Sequence, residues 1–223
     1  MGVYVINIIM AILKVESNRG FIGRVGNTVT YVLNGQVVKR KIGKSSKEAT
    51  IAQLSVRQRT KIITEFLNPV KEYIQVGFEF EARLVQKKNA HNIATSYNWL
   101  NAFTGVYPDQ KIDFSKVLLS RGNLPVTNNI DVKVVDNRVE FTWDKTIATD
   151  RIKGSDRVML LAYLPKENRA VSLIGGAERL EGGEHLIIPE YKGGIHMETY
   201  VSFVSADYKN ISNSVYTGEV FNP

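Results

Sequence analysis

The apolar positions follow two different periods along the chain. Between Gly20 and Lys41 the strand formers Val25, Thr28, Val29, Thr30, Tyr31, Val32, Val37 and Val38 surround Asn34-Gly35, the dipeptide that most strongly signals a tight hairpin. This pattern predicts strands over 27–33 and 36–42. Gly20, Gly23 and Gly26 come before the hairpin at steps of three, a spacing that suits bends in a short preceding strand. Thr50-Ile-Ala-Gln53 then reads as a capping box, in which the Thr hydroxyl and the Gln side chain satisfy reciprocal backbone donors. Ile51, Leu54, Ile62, Phe66, Val70 and Ile74 follow at roughly helical intervals, with Pro69 dividing or kinking the run and Gly77 ending it. A second helix is predicted over 82–103, where Ala90, Ile93, Ala94, Tyr97, Leu100 and Phe103 make one stripe.

From the turn at Tyr107-Pro108-Asp109 onward the period becomes two. Val132 and Val134, then Val139, Phe141 and Trp143, alternate with polar neighbours. Further strands are predicted over 157–163, 170–173, 185–188, 198–205 and 214–220. About seven short strands separated by Gly, Asn and Asp turns make a sandwich. The expected class is therefore α+β: an N-terminal hairpin with two helices in 1–110, then an all-β sandwich in 111–223. Val139-Glu-Phe-Thr-Trp143 closing an alternating strand, with the strand Ser214-Val-Tyr216 near the end, resembles fibronectin type III and immunoglobulin-like domains in pattern. The Cys pair of the antibody kind is absent, which removes that signature but not the fold. Trp143, on the inward period, is expected as a core anchor.

Charge sharpens the division. The net charge of +7 is split as +8 over residues 1–110 and −1 over 111–223. Between Lys14 and Lys61, 11 basic residues face only Glu16 and Glu48, so this segment would attract an acidic partner. The absence of cysteine excludes disulfides and thiolate metal sites and fits a reducing cytoplasm, the expected location. The opening run Met1–Leu13 is apolar but lacks a basic n-region and a small-x-small cleavage site, so export by that route is not expected; Met10 is an alternative start. No other apolar run approaches the roughly 20 residues needed to cross a bilayer, and no membrane association is expected.

Little in the sequence points to reaction chemistry. Gly20-x-x-Gly23-x-x-Gly26 is neither a dinucleotide fingerprint nor a Walker sequence, and it leads into a hairpin instead of a phosphate-binding helix. His91, His185 and His196 lie in no metal-ligand spacing, and no Ser sits in a G-x-S-x-G elbow. Catalytic residues, a metal site and a cofactor are accordingly not expected. Val37-Val38-Lys39-Arg40-Lys41 ends the hairpin, and Arg57 and Lys61 lie one helical turn apart. With Arg24, these residues (Lys39, Arg40, Lys41, Arg57 and Lys61) are the candidate contacts for an acidic protein or for nucleic acid. Only Phe21 and Tyr31 supply aromatic interleaving near them.

Gly20-Phe-Ile-Gly23-Arg-Val-Gly26-Asn27-Thr-Val-Thr-Tyr31, Thr50-Ile-Ala-Gln53-Leu-Ser-Val-Arg57-Gln-Arg59, Phe66-Leu-Asn-Pro69 and Ser96-Tyr97-Asn98 occur in order. They continue into Asp113-Phe-Ser-Lys-Val-Leu-Leu-Ser120-Arg-Gly122-Asn-Leu-Pro125, Phe203-Val-Ser-Ala-Asp207 and Ser212-Asn-Ser-Val-Tyr216. Together they resemble an uncharacterised family, a domain of unknown function common in Bacteroidota, from Met10 onward. The resemblance implies no activity, cofactor or catalytic residue. The expected function is non-catalytic interaction or assembly through β-edges and the basic N-terminal surface, with a protein partner or a second copy. The alternative is nucleic-acid binding by the basic region.

Overall fold

A computed structural model of the protein describes residues 22–33, 36–43, 47–85, 88–145, 152–190 and 194–223. The expectations for Met1–Leu13, for Gly20 and for the Asn34-Gly35 turn fall outside the described residues. Two compact units divide the chain, 1–49 and 50–223. In the first, β1 (Gly23–Val25), β2 (Thr28–Leu33) and β3 (Gln36–Lys41) form an antiparallel sheet in that order. Gly26 turns β1 into β2 with φ of 56°, a left-handed conformation that glycine adopts at no steric cost. Among the described residues of this unit none is buried.

The second unit opens with helix α1 (Ile51–Leu67). The Thr50 hydroxyl accepts from the Gln53 N–H at 3.3 Å, and the Thr50 N–H donates to Gln53 Oε1 at 3.1 Å, so the predicted reciprocal cap is formed. Pro69 has no N–H to continue the ladder, and α1 stops at Leu67 before α2 (Lys71–Gly77) resumes. At Gly77 a Cβ would collide with the Leu119 carbonyl, so glycine here permits a close backbone approach.

The helix expected over 82–103 is two helices, α3 (Glu79–Leu84) and α4 (Ala90–Asn101), giving four α-helices among the described residues where two were predicted. Asn89 restarts the helix by accepting the Asn92 N–H at 2.8 Å, and a residue in extended N-cap geometry interrupts whatever helix precedes it. The stripe also differs. Leu100 is exposed, and its expected place inside is taken by Asn98, which is fully buried because its side chain is satisfied. The Asn98 amide donates to the Ala94 and Leu118 carbonyls at 2.9 and 2.8 Å, and its oxygen accepts the Leu118 N–H at 2.8 Å.

A short pair, β4 (Phe103–Thr104) with β5 (Lys111–Ile112), leads to seven strands. These are β6 (Asp131–Val135), β7 (Arg138–Thr142), β8 (Arg157–Leu164), β9 (Arg169–Glu178), β10 (Gly183–Ile187), β11 (Ile195–Val204) and β12 (Val215–Asn222). They form two antiparallel sheets, β10-β7-β6 and β12-β11-β8-β9. Val139, Phe141 and Leu186 of the first sheet share a core with Val158, Leu160, Val201 and Phe203 of the second, which makes a β-sandwich. The fold is α+β. Trp143 lies in this core, stacked edge-on against Phe203 at 5.5 Å, with its indole N–H donating to the Arg179 carbonyl at 2.8 Å.

The opposite face of the four-stranded sheet is buried too. Met159, Leu161, Tyr163, Tyr200 and Val204 share a second core with Ile63, Phe66, Leu67, Tyr73 and Ile74 of the helices. The Tyr73 hydroxyl, fully buried, donates to the Met159 carbonyl at 3.2 Å and lies 2.6 Å from Ser202 Oγ. The compact unit therefore begins at Thr50 and does not divide at 110/111 as the change of period suggested. The physical reason is that β8 is apolar on both faces and β11 beside it is buried on both, so the sheet needs the helices as a cover.

Candidate functional site

The register of the N-terminal sheet decides what its cations can do. Arg24 pairs with Val29 and Val29 with Arg40, so both arginines share one face with the cross-strand pair Tyr31 and Val38. Lys39 and Lys41, each one residue out of step, stand on the other face with Thr28, Thr30 and Val37. Within this unit the four predicted cations thus divide two and two. The Arg40 guanidinium lies over the Tyr31 ring at 5.9 Å, within cation–π range.

The same register exposes an edge. The Ile42 N–H donates to the Asn27 carbonyl at 2.8 Å, marking that cross-strand pair as hydrogen-bonded. Bonded and non-bonded pairs alternate along an antiparallel ladder, so Arg40 and Val38 bond inward to β2. The N–H and C=O groups of Val37, Lys39 and Lys41 then point outward, and β3 is the last strand of its sheet among the described residues.

Arg57 and Lys61 belong to the second unit. They stand one turn apart on the exposed face of α1 and line a shallow groove with Val56, Thr60 and Thr64. Lys61 lies 3.8 Å from Glu65, a solvated pair that offsets its charge at little gain in stability. The neighbouring Arg59, not singled out by the sequence, is drawn inward and stacks on Trp99 and Phe103 at 5.0 and 4.8 Å.

A second feature lies at one end of the sandwich, where the segments before β6, before β8 and after β11 meet around a cleft of about 450 Å³. Its floor contains Leu124, Asp156 and Ser205, all buried, and its rim Asn123, Lys153, Asp207 and Asn210, all exposed. Asp156 Oδ2 accepts the Lys153 N–H at 3.0 Å and lies 3.4 Å from Nε of Arg179, close enough for an ion pair. Arg179 is fully buried; it donates to the Pro125 carbonyl at 2.9 Å and covers the Phe203 ring at 4.0 Å. Burial pulls its guanidinium down from its ordinary value, and Asp156 opposes that pull. The loop after β11 is held by its own side chains. Ser205 Oγ accepts the Asn210 N–H at 2.9 Å and donates to Asp207 Oδ1 at 2.6 Å, and Asp207 also accepts the Lys209 N–H at 3.1 Å. These bonds, the Ser205 hydroxyl first, hold the Asp207 carboxyl below the ordinary carboxylate value.

Asn123, Leu124, Ser205 and Asp207 fall within the family-like motifs of the sequence, but none of the cleft residues was singled out there as a site. Asp207-Tyr-Lys-Asn210 carries a turn signal, but what brings it to Asn123 and Asp156 is strand pairing over long separations. Elsewhere, His185 and His196 lie beside Glu184 and Glu219, and among the described residues no group of three or more His, Cys, Asp or Glu could hold a metal. Among those residues no helix is long and apolar enough to cross a membrane.

These features define a class: an α+β protein in which a basic antiparallel sheet precedes a helix-covered β-sandwich. The chain belongs to a family of unknown function, DUF6266, whose model matches residues 20–218. No curated protein and no solved structure gives a significant match.

Proposed function

We propose that this is a non-catalytic interaction or assembly protein that acts through β-strand edges and the basic surface of its N-terminal sheet. The observation that carries this reading is the outer edge of β3, where the backbone groups of Val37, Lys39 and Lys41 point away from β2, no other described strand pairs with them, and the side chains beside them are cationic. Lys on an edge also guards against unwanted pairing. The sign of the charge therefore selects the partner: a second β3 would set Lys against Lys, whereas a strand carrying Asp or Glu gains both backbone bonds and charge complementarity. Strand orders β10-β7-β6 and β12-β11-β8-β9 support reading the sandwich as fibronectin type III-like, a scaffold that presents loops and edges.

The test is fluorescence anisotropy with a labelled synthetic peptide that alternates Glu with Val. Binding is expected to weaken with salt and to be lost in Lys39→Glu/Lys41→Glu. Equal binding by a peptide N-methylated on its edge-facing amides removes strand addition from the account. A second reading, nucleic-acid binding, is favoured by Arg24, Tyr31 and Arg40 sharing one face, since cations around a stacking ring suit a single strand. Filter binding to random-sequence RNA and DNA at low and moderate salt decides it; no retention of either polymer at low salt ends this reading.

A further inference from the structure

Two parts of the cleft at the end of the sandwich are each held by their own bonds. The floor carboxylate Asp156 is locked by the Lys153 N–H and by Arg179, and one wall is the hydrogen-bonded loop from Ser205 to Asn210. A cleft whose walls do not have to order on binding is preformed, and its volume of about 450 Å³ falls in the range of small-molecule sites.

The lining restricts what can enter. Leu124 is the one apolar side chain among the described lining residues, so an apolar ligand would strand the amides and carboxylates without partners. Charge is balanced: Arg179 faces Asp156, while Lys153 and Lys209 act on Asp207, with Lys209 Nζ 3.9 Å from Oδ2. A divalent cation would meet the Lys153 ammonium, and a phosphate would meet two carboxylates. What remains is a neutral molecule dense in groups that both donate and accept. Asn123 and Asn210 offer both roles, Asp207 accepts and Lys153 donates, all from the solvent-facing rim.

We infer that this cleft is a binding site for a neutral polyhydroxyl compound, a saccharide unit. Asp156 and Arg179 position the floor, and Asn123, Lys153, Asp207 and Asn210 hydrogen-bond the hydroxyls. The site is independent of β3, so it stands whether or not that edge takes a strand.

Saturation-transfer-difference NMR on the full chain tests the inference. The probes are glucose, galactose, mannose and N-acetylglucosamine at millimolar concentration, with calcium chloride and inorganic phosphate as competitors. At least one sugar is expected to show saturation transfer that neither competitor reduces. Asn123→Ala/Asn210→Ala, which changes only exposed rim residues, is expected to weaken binding by about tenfold for each hydrogen-bonding group lost, with an unchanged melting temperature. The inference is overturned if no sugar shows transfer, if the double variant binds as well as the parent, or if calcium or phosphate displaces the signal.

Discussion

Strands β8 and β3 mark the two extremes of this molecule. Along β8 every residue from Val158 to Leu164 is buried, with Leu160 turned to the sandwich core and Leu161 to the helices. Along β3 only Val38 is even partly covered. Both are antiparallel strands of similar length, so backbone pairing does not account for the difference. Val-Met-Leu-Leu-Ala-Tyr-Leu has no polar phase, and each face must find a layer to cover it. Gln-Val-Val-Lys-Arg-Lys carries charge on both faces and favours solvent or an oppositely charged partner. The sheet containing β8 lies inside the core, whereas among the described residues the sheet containing β3 has no buried residue.

This contrast can be broken most directly at Phe66, which meets Phe114 and Tyr163 between the helices and the sheet. Phe66→Ala is expected to cost about 3–5 kcal/mol in denaturant unfolding. A loss near zero would mean that the helices do not stabilise the sheet. Tyr73→Phe is smaller in volume but removes the buried hydroxyl that bonds Ser202 Oγ and the Met159 carbonyl, a loss of about 1–3 kcal/mol in the same assay. Thr50→Ala removes one half of the helix cap and should cost about 1 kcal/mol, whereas Thr50→Ser should be nearly neutral.

Acid sharpens the comparison at the cleft. The folded state depresses the Asp207 carboxyl, so its contribution is present above the ordinary value of 3.8 and is lost as pH falls through the lower folded value. Thermal melts between about pH 2 and 5 should therefore fall less steeply in Asp207→Asn than in the parent chain. The smallest effect belongs to the open sheet: Lys39→Ala and Val37→Ala are expected to change stability by less than about 0.5 kcal/mol, read by calorimetry. A larger loss at Val37 would show that the edge of β3 is covered in solution.

Local grammar was readable in the sequence wherever neighbours along the chain decide the outcome. The Thr50–Gln53 cap, the break at Pro69, the inward Trp143 and the hairpin strands all depend on residues a few positions apart. The unit boundary was missed because the change of period near Pro108 reflects a change of element type and not of core. The uninterrupted apolar run of β8 was the available sign that a further layer lies over the sandwich. At Asn98 a polar residue took a core position because the Leu118 backbone, distant in sequence, satisfies its side chain. Of the candidate site, the cations and their sign were legible. Their separation onto two faces emerged only with the register, and the cleft, assembled by strand pairing, left no local trace beyond the turn signal at Asp207-Tyr-Lys-Asn210.

The cap at Thr50 also bears on how the molecule can be taken apart. The cap closes two N–H groups at the start of α1, those of Gln53 and Thr50, with side chains from that turn itself. A protease that cut just ahead of the junction would leave a clean seam, with no raw helix end to fray.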